Sequence, residues 1–256
     1  MKTLVILLSL ITNVGETDAQ LKKVENKAFK KGEVLNYRLH YGSVEAGTAT
    51  MEVRQENNKF AGRNVYKMVG TGTTNPVFDM FFKVRDRYET YIDTESLTPW
   101  VFIRRVDEGG YKISQNQIYN PYKKSVNSDG KEFAVPENVQ DMLSAFYQAR
   151  TIDYSKAKIG DIFTINAFVD NEIWPMKFKY LGKQVVKSDI GKIRCLKFAP
   201  IVQKGRVFKK EEDLSVWISD DGNKIPVRAE AKILVGSVRM DLMSYQNLAN
   251  PVAYTK

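Results

Sequence analysis

The sequence predicts a mainly β fold, duplicated antiparallel sheets curled into a β clam or barrel with one central helix, and three observations predict it. Most of the chain from Gly32 to Gln246 alternates apolar and polar side chains, the period of two that half-buried strands require. Breaks rich in Gly, Asn, Asp and Pro interrupt that alternation at short intervals, as turns between neighbouring strands do. A single stretch, 137–150, changes to helical spacing. It separates two runs whose turns and aromatics recur in the same order at an offset of about 126 to 129 residues.

The first residues carry one Lys, an apolar run from Leu4 to Ile11 and then small polar residues, with Thr17 and Ala19 placed for a cut before Gln20. This is the build of a secretory signal peptide over 1–19. Residues 20–31, charged and nearly aperiodic, read as a flexible lead-in. Residues 32–256 then read as a single duplicated β domain, with halves 32–127 and 160–247 joined by the helix 137–150. No second apolar run approaches the length of a membrane span, so the exported chain is expected not to be membrane-spanning.

In the first half, GEVLNYRLHYGSVEAGTATMEV reads as two strands around a turn near Gly42, and Arg63–Gly72 as a third. Thr73–Pro76 has loop composition. Phe81–Tyr111 reads as one long hairpin turning at Asp93–Ser96, and YKISQNQIYN as the strand that follows it. Val139, Met142, Leu143, Phe146 and Tyr147 share one face of the helix, with Pro136 near its start and Glu137 and Asp141 where the helix dipole favours acids. The second half repeats the first. Gly32 falls on Gly160, Tyr91 on Trp217, Pro99 on Pro226 and Gly110 on Gly236, and Phe82–Lys83 fall on Phe208–Lys209.

The long hairpin concentrates aromatics, arginines and acids, and its candidate binding residues are Asp86, Arg87, Tyr88, Trp100, Phe102, Arg104, Arg105, Glu108 and Tyr111. Asp86 sits on the apolar parity of one arm and Arg104 on that of the other. A hairpin closed near Glu95 would set them opposite, and burial would oblige them to form an ion pair.

Catalytic constellations are scarce. With one His and one Cys, any triad would need His40, and no nucleophile elbow, metal-ligand cluster, phosphate loop or dinucleotide fingerprint occurs, so catalytic residues, metal and cofactors are all expected to be none. The hairpin acids Asp86, Asp93, Asp107 and Glu108 leave glycoside chemistry open, against which four neighbouring arginines would lower the carboxyl pKa values. Cys195, between apolar neighbours, reads as a small buried hydrophobe. It lies far from the cleavage site, which removes a lipid anchor and leaves a periplasmic protein as the expectation. The net charge of +9 suits an anionic envelope component, and export argues against nucleic acid as a partner.

TNPVFDMFFKVRDRYETYID, RRVDEGGY, VQDMLSAFYQAR and VWISDDGNKIPVRAEAKILVGSV together resemble an exported bacterial family catalogued as domain of unknown function 3108, from Gly32 to about Leu242. The resemblance implies a Gram-negative envelope protein and supplies no catalytic residues. WISDDGNKIPVRAEA is also similar to the strand and turn of lipoprotein carriers built as an open half-barrel with a helical lid. The expectation is a non-enzymatic periplasmic binding or envelope-assembly protein whose partner is a lipid or another amphipathic envelope ligand. The alternatives are a carbohydrate-active enzyme using the hairpin carboxylates and a structural partner in an envelope protein complex.

Overall fold

Alternation becomes one antiparallel meander in the structure, a computed structural model that describes residues 20–201, 213–233 and 236–255. The expected signal peptide and the Phe208–Lys209 correspondence lie outside the described residues. The first run comprises β1 (Val34–Tyr41), β2 (Val44–Gln55), β3 (Val65–Thr74), β4 (Arg85–Asp93), β5 (Pro99–Glu108), β6 (Tyr111–Asn120), β7 (Ser125–Ser128) and β8 (Lys131–Ala134). The second comprises β9 (Ile162–Val169), β10 (Glu172–Ser188), β11 (Gly191–Pro200), β12 (Leu214–Ser219), β13 (Pro226–Lys232) and β14 (Ser237–Gln246). Because β1 pairs with β14 along its whole length, the two runs join into one 14-stranded sheet with β8 and β9 at its edges. The sheet is barrel-like and not closed.

Its two edges approach one another through side chains. The Phe133 ring of β8 lies 5.2 Å from the Phe168 ring of β9. Between them, the backbone at Gln140 takes a short parallel bridge to β9, Gln140 N donating to Asn166 O at 2.9 Å and Phe168 N to Gln140 O at 2.7 Å. This bridge corrects the helix start. Asn138 at φ 59° and an extended Gln140 delay the helix, so α2 runs Met142–Thr151 rather than from 137. Asp141 is its N-cap, in a reciprocal capping box with Ser144, and Pro136 and Glu137 lie outside. A second helix, α1 (Pro76–Asp79), is a single turn between β3 and β4 where loop was expected, and the β7–β8 hairpin was not foreseen.

α2 lies against the concave face. Leu143 and Tyr147 enter the core of the first run with Met68, Ile92, Phe102 and Phe168, while Ala145 packs on Ile165 and Ala167 of β9. The lead-in carries no helix or strand, yet Ala28 and Phe29 are buried in that core, so it packs instead of fraying. Its anchor is the Arg150 guanidinium, buried with Glu33 in a bidentate pair at 2.6 and 2.8 Å. Arg150 also donates to Ala28 O and to Asn223 O, and lies over the rings of Phe29 and Tyr147.

The hairpin register also differs from expectation. Tyr88, not Asp86, stands opposite Arg104, because Leu97 turns at φ 57° and a bulge falls between Tyr91 and Ile92. Arg104 Nη1 donates to Asp170 Oδ1 at 2.8 Å, in the β9–β10 turn that crosses to the hairpin, and Asp86 Oδ1 accepts from the Asp107 amide at 3.3 Å. The same bulge occurs between Trp217 and Ile218, again opposite the strand that opens with a proline, Pro226. Lys224 at φ 48° precedes that proline by two residues, as Leu97 precedes Pro99.

Candidate functional site

Period-two alternation puts Ile165 of β9, Phe178 of β10, Phe198 and Pro200 of β11, and Leu214, Val216 and Ile218 of β12 on one concave face. α2 roofs that face with Met142, Ala145, Phe146 and Ala149. Between roof and floor lies a cavity of about 390 Å³. Trp174, Met176 and Ile201 stand at the strand ends that form its mouth, and Lys177 is the only charged residue in its lining among the described residues. The deep wall is aromatic. Tyr154 and Phe163 meet edge to face at 5.0 Å, Phe163 and Phe178 stack at 5.7 Å, and Phe198 packs on Tyr154 and Tyr180. The Tyr154 hydroxyl donates to Ala149 O at 2.8 Å, so it braces the helix and leaves the ring as wall.

The roof is held by polar groups outside the cavity. The Asp141 carboxylate, fully buried, accepts from Leu143 N and Ser144 N at 2.8 Å each and from Thr90 Oγ1 of β4 at 2.5 Å. Burial pushes its pKa up to about 6 against the lowering effect of those bonds. Burial also raises the nearby Tyr119 hydroxyl, with the Asp141 charge adding to it. Cys195 is a free, buried thiol whose pKa burial pushes up to about 12, which makes it a packing residue and not a nucleophile.

The nine hairpin candidates divide by parity. Asp86, Tyr88, Phe102, Arg104 and Glu108 face inward. Tyr88 lies over Phe102 at 6.4 Å, and Phe102 belongs to the core. Trp100 is buried against Tyr122, its indole N–H without a partner among the described residues. Arg87 turns outward to Glu89 at 2.6 Å, and Arg105 to Gln115 O and Asn116 Oδ1. Tyr111 is exposed at the β5–β6 turn. Of the nine, Glu108 lines a second cavity of about 650 Å³, bounded by Leu39, Tyr41, Phe78, Phe82 and Val238 among others. Desolvation and the neighbouring Asp86 carboxyl raise the Glu108 pKa.

The lining of the roofed cavity was missed because it belongs to the second run, where attention to charge and aromatics together had no reason to stop. The available signal was the alternating Trp174, Met176, Phe178 and Tyr180 along β10. Among the described residues no group of three or more His, Cys, Asp or Glu is placed to hold a metal ion, and no helix is long and apolar enough to cross a membrane.

Residues 36–243 match the family described as protein of unknown function (DUF3108). No curated protein matches the chain in sequence. Among solved structures it is similar to the crystal structure of a beta-barrel-like protein of domain of unknown function DUF1849 from Brucella abortus. The two are 13% identical, the match covers 86% of this chain and 99% of that one, and the TM-score is 0.54. A DUF1089 family protein from Pseudomonas aeruginosa is 8% identical over 75% of this chain and 87% of its own, with a TM-score of 0.32. At such identity the first likeness speaks for the fold alone.

Proposed function

The chain belongs to the DUF3108 family of proteins of unknown function, and we propose that it is a non-enzymatic binding protein of the bacterial periplasm for an apolar or amphipathic ligand. The observation that carries this reading is the roofed cavity of about 390 Å³, within the range of small-molecule sites, whose lining has one charged residue among the described residues. An acyl chain or similar apolar body would bury against Phe178, Phe198 and Val216, and Lys177 would meet an anionic head group near the mouth. A glycan fits the geometry less well. Among the described residues Glu108 is the one carboxyl in the lining of the second cavity, otherwise mainly apolar through Leu39, Phe78, Phe82 and Val238, so the two carboxyls that glycoside chemistry needs are not both presented there.

The experiment is displacement of a fluorescent fatty acid, cis-parinaric acid, from the purified chain and from Val216→Glu. A carboxylate at 216 would be aimed into the apolar lining, and its desolvation is expected to weaken binding by at least about tenfold. Tyr111→Ser serves as the control in the hairpin and should bind as the parent does. Equal affinity in the parent and Val216→Glu would remove this cavity from consideration. A loss in Tyr111→Ser alone would return the site to the hairpin.

A further inference from the structure

Register places the β3–β4 connection, the β1–β2 turn, the β5–β6 turn and the start of β14 at one end of the sheet. Tyr41 pairs with both Val44 and Val238, Gly47 with Thr74, and Glu108 with Tyr111. The β3–β4 connection is held from below by polar groups. The Asn75 side chain accepts from Phe78 N at 2.8 Å and donates to Glu45 O at 2.7 Å, which ties α1 to the β1–β2 turn. Asp79 pairs with Arg85 at 2.5 Å and accepts from Thr74 Oγ1. Phe78 leans on Tyr41, with ring centroids 6.0 Å apart.

What this anchored loop presents outward is apolar. Val77, Met80 and Phe81 are 69, 83 and 81% exposed, and Phe82 is 48% exposed. Four large apolar side chains within six positions, on a turn that buries none of its own residues, form an exposed apolar tip with no cover among the described residues, Phe81 and Phe82 also bounding the second cavity behind it. Tyr41, Val44, Tyr111 and Val238 extend the exposed apolar surface along the neighbouring strand ends. Asp79 pairs with Arg85, Glu45 with Arg38 and Asp107 with Lys112, and Glu108 is turned into the second cavity beside the Asp86 carboxyl, whereas Lys83 beside the tip has no ion pair among the described residues. The occupant must accept an exposed apolar tip with a cation beside it. A second copy of the chain would bring a like net charge of +9. A bilayer carrying anionic headgroups matches both features.

We propose that the α1 loop docks the protein on an anionic phospholipid surface, with Val77, Met80 and Phe81 entering the boundary between headgroups and acyl chains and Lys83 at the phosphates. This does not depend on what the roofed cavity holds. The test is co-sedimentation of the full chain with vesicles of phosphatidylethanolamine and phosphatidylglycerol, and with vesicles of phosphatidylcholine alone. The parent is expected to pellet with the anionic vesicles. Met80→Asp with Phe81→Asp is expected to lose at least about tenfold in partitioning, and Lys83→Glu several-fold on the anionic vesicles only. These side chains touch little, so both variants should unfold at the parent's temperature. Phe81→Trp, read against the parent's own tryptophans, should shift its emission to the blue on the vesicles. Equal partitioning of the double variant, or no anionic preference in the parent, would overturn the proposal. So would a dimer that needs Met80 and Phe81 and ignores vesicles, since the tip would then be a contact between copies.

Discussion

At the scale of single residues, Asp141 is the group whose chemistry is most at odds with its surroundings. It is an acid with no cation beside it among the described residues, buried at the start of α2, and its folded pKa of about 6 lies above the unfolded value of about 3.9. The folded state therefore holds an extra proton between those values. The stability this contributes is fully present below the unfolded pKa and is lost as pH rises through about 6. Asp141→Asn keeps the capping oxygen and cannot titrate. The stability of the parent relative to that variant should fall by on the order of 2 to 3 kcal/mol between pH 4 and pH 7. Urea unfolding of both proteins across that range checks this, and parallel curves would refute it. Asp93 acts in the opposite sense. Despite its burial, bonds from Arg63 and the amides of Ser96 and Glu95 lower its pKa, so its contribution is present above the unfolded value and fades in acid. Asp141→Ala, which removes the cap and strands two amides, should cost about 1 to 3 kcal/mol at pH 7 and more at pH 4, where the parent keeps its extra proton.

The elements show where sequence reasoning reached and where it stopped. Strands β1 to β6 were legible because one face of each is buried, which forces alternation. The proline-opened strands β5 and β13 were legible because Pro99 and Pro226 announce them. The register of the long hairpin was not legible, since it depends on a bulge at Tyr91–Ile92 and a left-handed Leu97, neither of which has a sequence signature as strong as a glycine. A two-residue displacement keeps every side chain on its face, so the inward parity of Asp86 and Arg104 held while their pairing did not. The cavity was hidden for a different reason: curvature of the sheet and the seat of α2 decide it, and both arise from long-range packing. That seat can be tested at Arg150, which ties the last turn of α2 to the lead-in and to the β12–β13 turn. Glu33→Ala leaves the guanidinium buried without its carboxylate and should cost about 3 to 5 kcal/mol in thermal or urea unfolding. Glu33→Gln keeps one acceptor oxygen for the guanidinium and sets an amide N–H against its second donor, so it should recover only part of that loss. A cost below about 1 kcal/mol for the alanine would mean that the lead-in is not docked as described.

At the scale of the whole molecule, β1 to β6 of the first run correspond in order to β9 to β14 of the second, and so do their unusual backbones. Positive φ occurs at Gly32 and Gly160, Gly42 and Asp170, Gly62 and Gly191, Leu97 and Lys224, and Gly110 and Gly236. We read this as a duplicated unit whose copies were fused head to tail in one sheet, β1 of the first against β14 of the second. Fusion of that kind has a thermodynamic consequence. The β1–β14 ladder runs the length of β1, and Leu35 and Tyr37 of one run share a fully buried cluster with Ile225 and Leu242 of the other. α2 packs on β3 and β4 as well as on β9, so neither copy keeps its core when the other unfolds. Calorimetry of the intact chain should then show one transition, with calorimetric and van't Hoff enthalpies in agreement. Leu242→Ala removes buried methyl groups at the junction and should cost about 2 to 5 kcal/mol. The informative outcome is the shape of the curve: the substitution should move the whole transition to lower temperature as one peak. A shoulder that separates from an unmoved second peak would mean that the copies are independent units and that the junction is only a contact between them.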